Sequence, residues 1–192
     1  PTMQDPDGFC CAESNAILRY LATKHDSELY PANDPKLRAR IDWIMAAWST
    51  SVYSKWAARV YPILGFTPDV ADKEKANKEL KDALDNFTTA FLTKESKFLA
   101  GDQLTIADYK VMPYLFGLSL LFVEQKSGVK LSPRLAQYVQ DIIPLTHSWG
   151  LLMSNDGSSV KEFLEAKKDF PDFAGTPVVV GEGLASSGLK KG

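Results

Sequence analysis

Long apolar runs are missing from this chain. None approaches the roughly 20 residues that span a bilayer, so no transmembrane helix is expected and the chain reads as soluble. An excess of basic charge is missing too. Twenty-two Lys and Arg stand against 24 Asp and Glu, a net charge of -2, which leaves no electrostatic footprint for nucleic acid. The two histidines, His25 and His147, lie far apart and read as ordinary surface or packing residues. No metal-ligand cluster, phosphate-binding loop, Ser-His-Asp order or internal repeat is visible. No secretory leader pattern is seen, and the first residue is Pro1. There are two cysteines, Cys10 and Cys11, and they are adjacent. Neighbours on a strand point to opposite faces, so a disulfide between them is not expected. They read as two small buried apolar side chains, with a redox-active pair as the alternative. Cysteine usage suits a reducing compartment such as the cytoplasm or an organelle matrix or stroma.

What is present is mostly helical text. Residues 1–12 read as a hairpin: Thr2 to Gln4 runs out, Asp5-Pro6-Asp7-Gly8 turns, and Phe9 to Ala12 returns. A helix from Ser14 to His25 follows, with Ala16, Ile17, Tyr20 and Leu21 as its apolar stripe. Asp34 and Pro35 form a helix start, Asp34 as N-cap and Pro35 at the first helical position. Leu37, Ile41, Ile44, Met45, Trp48 and Val52 keep helical spacing, in a helix that can extend to Val60. Pro62, Gly65 and Pro68 read as a linker. A second long helix is expected over 69–94, burying Leu80, Leu84, Phe87 and Phe91, and a third over 105–124 with Pro113 inside it. Thr105 and Asp108 have capping-box spacing at its entry, a structural rather than catalytic pair. Helices over 133–143 and 159–168 complete the pattern. After Phe170 the chain is rich in Gly and Pro, with Val178 to Val180 as its one apolar run.

Three stretches together resemble the glutathione transferase family. They are Pro1-Thr2-Met3 through Glu13-Ser14-x-Ala16-Ile17-x-x-Tyr20-Leu21, then Leu29-Tyr30-Pro31 with Arg38-Ala39-Arg40-Ile41-Asp42, then Phe98-Leu99-Ala100-Gly101-Asp102-Gln103-Leu104-Thr105-Ile106-Ala107-Asp108. The resemblance covers about residues 1–145. It implies a mainly α fold: the family's C-terminal helical bundle, preceded by a partial thioredoxin-like β-hairpin and helix. It places a partial thioredoxin-like domain at 1–30, a helical domain at 31–150 and a C-terminal extension at 151–192. In this family a strand-helix-strand unit ahead of the matched part carries the Tyr, Ser or Cys that activates the glutathione sulfur. That unit is not in this sequence, so no catalytic residue is assigned. Pro1 resembles the family's cis-proline, but the residue before it, which would touch glutathione, is absent.

Glu13 and Ser14 stand at a helix N-terminus, where orphan N–H groups and the dipole favour a carboxylate. Glu13 can accept from an ammonium, so an amino-acid head group fits the pair. Equally, Ser14 can simply cap its own helix. The resemblance implies that the two bind the γ-glutamyl end of glutathione. It also implies a hydrophobic second-substrate pocket, for which Tyr53, Trp56, Tyr61 and Phe116 are candidates, although aromatics at this spacing also suit a plain core. No cofactor is expected beyond glutathione, as substrate or vestigial ligand. Two functions are weighed. One is a non-catalytic interaction or structural subunit of a larger complex, with the tail docking onto a protein partner through Val178 to Val180. The other is part of an active transferase that conjugates glutathione to small electrophiles. A homodimer is the other assembly considered.

Overall fold

The computed structural model describes residues 1–119 and 121–142, and every absence reported below is an absence among those residues. The expected helix over 159–168, the apolar run Val178 to Val180, the docking tail and His147 lie outside them. Two short strands open the chain, β1 (Thr2–Gln4) and β2 (Cys10–Ala12). They pair antiparallel, with Thr2 opposite Ala12 and Gln4 opposite Cys10. The turn between them closes as its residues dictate: the Gly8 amide donates to the Asp5 carbonyl at 2.9 Å, and Gly8 takes a φ of 92° that only glycine holds without strain. The Asp5 carboxylate then receives the Tyr20 hydroxyl and the Lys24 ammonium, which fastens the hairpin to the next helix.

That helix is α1 (Ser14–Lys24). Its buried side differs from the expected one. Ala22 is buried and Leu18 packs on the core, whereas Leu21 is 39% exposed. A short helix with apolar residues on three sides does not declare its buried face; the helices it packs against choose it. The cysteines also depart from expectation. Cys10 is exposed and Cys11 half-buried, and both are free thiols. A two-stranded hairpin has too few covering elements to bury both faces.

The helical part follows as α2 (Pro35–Ala47), a π-helical turn (Trp48–Val52), α3 (Tyr53–Leu64), α4 (Lys73–Phe91), α5 (Ile106–Ser119), α6 (Leu121–Ser127) and α7 (Pro133–Ile142). Asp34 caps α2 by accepting from the Leu37 amide at 2.9 Å, with Pro35 in the first turn. The π turn coincides with the run Trp-Ser-Thr-Ser-Val, where Ser49 and Thr50 hydroxyls bond back to the Met45 and Ala46 carbonyls, each at 2.9 Å. Such back-bonding loosens the α ladder and suits a wider turn. Pro62 belongs to α3, not to a linker: it lies in the last turn, where losing the single i→i−4 bond its N–H would have made to Ala58 does not end the helix before Leu64. The stop comes at Gly65, whose φ is 82°. Its amide bonds to the Pro62 carbonyl at 3.1 Å and that of Phe66 to the Tyr61 carbonyl at 2.9 Å, a Schellman closure. Asp72 starts α4 by accepting from the Lys75 amide, three residues later than the sequence suggested.

The two apolar stripes read from the sequence are both inside. Ile41, Ile44, Met45, Trp48 and Val52 have no exposure, and Leu80, Leu84, Phe87 and Phe91 have almost none. Helix α5 packs against α1, α2, α3 and α7. Ala107, Val111, Met112, Leu115 and Leu118 are fully buried along it, as befits a helix apolar on most sides. Between Pro35 and Ile142 the one β feature is an isolated bridge from Phe98 to Gly101. The fold is therefore mainly α, a helical bundle preceded by a hairpin and helix.

Candidate functional site

The entrance of α1 is strained. Glu13 holds φ 72° and ψ 118°, a region a side chain enters only at a cost of about 1–3 kcal/mol. Its carbonyl starts the helix by accepting from the Ile17 amide at 2.9 Å, and the helix has no side-chain cap. Ser14 therefore does not cap its own helix. Its Oγ instead accepts a 2.7 Å hydrogen bond from Nζ of Lys110, 96 positions along the chain on α5. Burial pushes the Lys110 pKa down, and the charge of nearby Glu13 works against that. The same ammonium lies 5.5 Å from the Tyr114 ring centre.

Tyr114 leads into a cluster of rings. Tyr53 and Trp56, from the first turn of α3, lie 5.5 and 5.0 Å from it between ring centres, both edge-on. Tyr61 stands edge-on to Trp56 at 5.4 Å, and its hydroxyl shares a 2.8 Å hydrogen bond with that of Tyr53. Trp56 is buried and donates from Nε1 to the Tyr114 carbonyl at 2.8 Å. Burial first, and then the bond to Tyr53, push the Tyr61 phenol far above the usual tyrosine range, so it stays protonated. Tyr53, Trp56 and Tyr61 are thus brought together around Tyr114, whose ring also meets the Lys110 ammonium. Phe116 is half-buried against the core.

Thr105 and Asp108 are both fully buried. The Asp108 carboxylate takes the Thr105 amide at 2.8 Å, the Thr105 hydroxyl at 3.0 Å, the Leu99 amide at 3.0 Å and the Tyr138 hydroxyl at 2.8 Å. This differs from a reciprocal capping box, because the Thr105 hydroxyl donates to the carboxylate instead of accepting an amide. Burial raises the Asp108 pKa, and the four donors oppose it. The group joins α5, α7 and the 98–105 loop away from the ring cluster. His25 closes the opposite end of α1 from Ser14.

Lys110 and Tyr114 were not singled out from the sequence, although a signal existed. Lys110 is the one charged residue between Asp108 and Glu124 on an otherwise apolar stretch. A lone cation there must find a partner or a cleft. The described residues contain no group of His, Cys, Asp and Glu able to hold a metal, and no helix long and apolar enough to cross a membrane.

Known proteins of similar sequence and shape include glutathione transferases and elongation factor 1-gamma. Residues 55–144 match the family model for the glutathione S-transferase C-terminal domain. The chain is 27% identical over 154 residues to glutathione S-transferase PARB of Nicotiana tabacum, covering 74% of this chain and 68% of that protein. It is 31% identical over 120 residues to elongation factor 1-gamma of Danio rerio, covering 62% of this chain and 26% of that protein. Among solved structures, a delta-class glutathione transferase of Nilaparvata lugens superposes with a TM-score of 0.63 at 27% identity, covering 79% of this chain and 67% of the other. A Bombyx mori glutathione transferase gives 0.64 at 27% identity, with 79% and 66% covered. The chain spans about a quarter of the elongation factor's length and about two thirds of the tobacco transferase's.

Proposed function

Because the chain belongs to the glutathione transferase family, we propose that its Glu13–Ser14 corner binds the γ-glutamyl end of glutathione, as part of a transferase acting on small electrophiles. The observation that carries this reading is the strained Glu13 set directly before an uncapped helix start. A fold that spends free energy on an awkward backbone, and leaves the first-turn amides without a side-chain cap, keeps those donors for another acceptor. The Ser14 hydroxyl and the amides can hold a carboxylate, and Glu13 can take the neighbouring ammonium. The ring cluster of Tyr53, Trp56, Tyr61 and Tyr114 supplies an apolar wall on the α5 side, suited to an electrophile of low polarity.

The test is a glutathione titration of the chain followed by amide NMR, which reads millimolar affinities. The Ser14 amide is expected to shift with a saturable dependence, and Ser14→Ala to weaken binding about tenfold, the loss of one hydrogen bond to a charged group. Unchanged spectra up to tens of millimolar glutathione, a range set by the weakest useful affinities, would sink the reading.

One further observation favours a second role, as an interaction module. Trp43 is 57% exposed on the rim of a groove of about 470 Å³ between α4 and the α2–α3 helix line, with Ala47, Val52, Phe87 and Phe91 in its lining. An exposed tryptophan beside an apolar groove is the kind of anchor that protein interfaces use. The helical domain is also shared with proteins named as elongation factors. The two roles use different faces and are compatible.

A further inference from the structure

We propose that Lys110 is a specificity-determining residue of the Glu13–Ser14 site, a cation from the helical bundle that pairs with the α-carboxylate of the γ-glutamyl group. The inference rests on the glutathione-binding reading above and adds to it the residue that selects for the carboxylate.

The argument starts from what Lys110 lacks. An ammonium has three donors. Here it is half-buried, and its described contacts are the neutral hydroxyl of Ser14, at 2.7 Å, and the face of Tyr114. Among the described residues eight ion pairs are formed, and Lys110 takes part in none of them. Removing an ammonium from water is costly, and burial drags its pKa down although the nearby Glu13 carboxylate, which forms no ion pair with it, offsets part of that cost. A carboxylate bound at the Ser14 hydroxyl comes within hydrogen-bonding reach of the same Nζ, because Ser14 and Lys110 already touch. The pair then becomes a charge-assisted bond in a partly dry place, where such bonds are strongest. Glu13 on the other side handles the ligand's ammonium. The cation and the anion of an amino-acid head group thereby each meet an opposite charge.

Two consequences distinguish this from a structural role for Lys110. The ligand would bridge α1 and α5, since its carboxylate would sit between one group from each. Selectivity would also depend on one charge. The experiment compares glutathione with 4-aminobutyryl-cysteinyl-glycine, the same peptide without its α-carboxylate. Wild type, Lys110→Met and Lys110→Arg are each titrated by amide NMR, with a thermal melt of each variant to show that it is folded. Met keeps the apolar stem and removes the charge. Lys110→Met is expected to weaken glutathione about tenfold, a charge-assisted bond half screened by water. It should leave the decarboxylated peptide within about twofold of its wild-type affinity, because that peptide brings no carboxylate to Lys110. Lys110→Arg should restore most of the loss. Equal glutathione affinity in wild type and Lys110→Met overturns the role of Lys110 and leaves the Glu13–Ser14 reading intact. Equal weakening of both peptides overturns it as well, since the effect would then not pass through the carboxylate. A wild type that binds neither peptide overturns the underlying reading. Should Lys110→Met melt below the working temperature, Lys110→Gln, which keeps a polar tip, replaces it with the same expected outcomes.

Discussion

Single side chains in this protein are decided by what they are buried with. Asp108 has no exposure and would be ruinous alone, yet four donors converge on its two oxygens. Thr105 supplies two of the four, one from its amide and one from its hydroxyl. Thr105→Ala removes the hydroxyl and is expected to destabilise the chain by about 1–2 kcal/mol, the upper part of the range for helix-start substitutions. The cost should depend on pH, with a definite sign. Burial holds the Asp108 pKa above its usual value, so the folded chain keeps a proton there that the unfolded chain has lost. The stability this group contributes is full below the unfolded value of about 3.9 and falls as pH rises through the folded pKa. The Thr105 hydroxyl donates to the ionised form and softens that fall. Thermal melts of wild type and Thr105→Ala at neutral pH and near pH 4 should show a larger gap at neutral pH. A gap independent of pH would mean that the hydroxyl does not serve the carboxylate.

Among whole elements, α3 and α4 owe their alignment to more than apolar stripes. Arg59 of α3 is 2% exposed, and its Nε donates to the Asn77 side chain of α4 at 2.6 Å while Nη1 meets Asp69 at 3.1 Å. The guanidinium is buried, whereas Asp69 is largely in water and can be replaced by it. Asp69→Asn is therefore expected to cost about 0.5 kcal/mol, the scale of an exposed pair. Arg59→Ala should cost about 2–3 kcal/mol, because packed side-chain stem and a bonded head are lost together. Urea denaturation of both variants checks the order, and a larger cost for Asp69→Asn would show that the ion pair dominates. The elements themselves were largely legible in sequence. Asp34-Pro35 announced α2, and the spacing of Leu80, Leu84, Phe87 and Phe91 announced the buried side of α4. The π turn was not legible, because its cause is a competition between hydroxyl back-bonds and the ladder that hydrophobic spacing does not register. Nor was the length of α3, since Pro62 reads as a breaker until Gly65 is seen to take the left-handed conformation one turn further on.

At the scale of the whole molecule the exposed apolar surface beside Trp43 is the feature with consequences. Trp43 meets Phe91 edge-on at 4.9 Å and leaves more than half of itself in water. Removing it costs the core little and the surface much. Trp43→Ala is expected to leave the melting temperature within a few degrees, as for a surface substitution. It should also lower self-association or partner binding in sedimentation measurements. An unchanged sedimentation profile in a wild type that does associate would take Trp43 out of the interface. The sequence by itself determined that the chain is mainly helical, where most helices start, which residues of α2 and α4 lie inside, and which family it resembles. Those properties follow from local spacing and capping chemistry, and they act over a few residues. Tertiary structure alone decided the partners. Ser14 and Lys110 are 96 positions apart, and no periodicity links them; they meet because α5 packs across the start of α1. The same packing set Tyr114 among Tyr53, Trp56 and Tyr61, and turned Leu21 outward while burying Ala22. A side chain's spacing states only which face of its own helix it occupies. What that face meets depends on helices distant in sequence, and the chemistry of the site begins with that meeting.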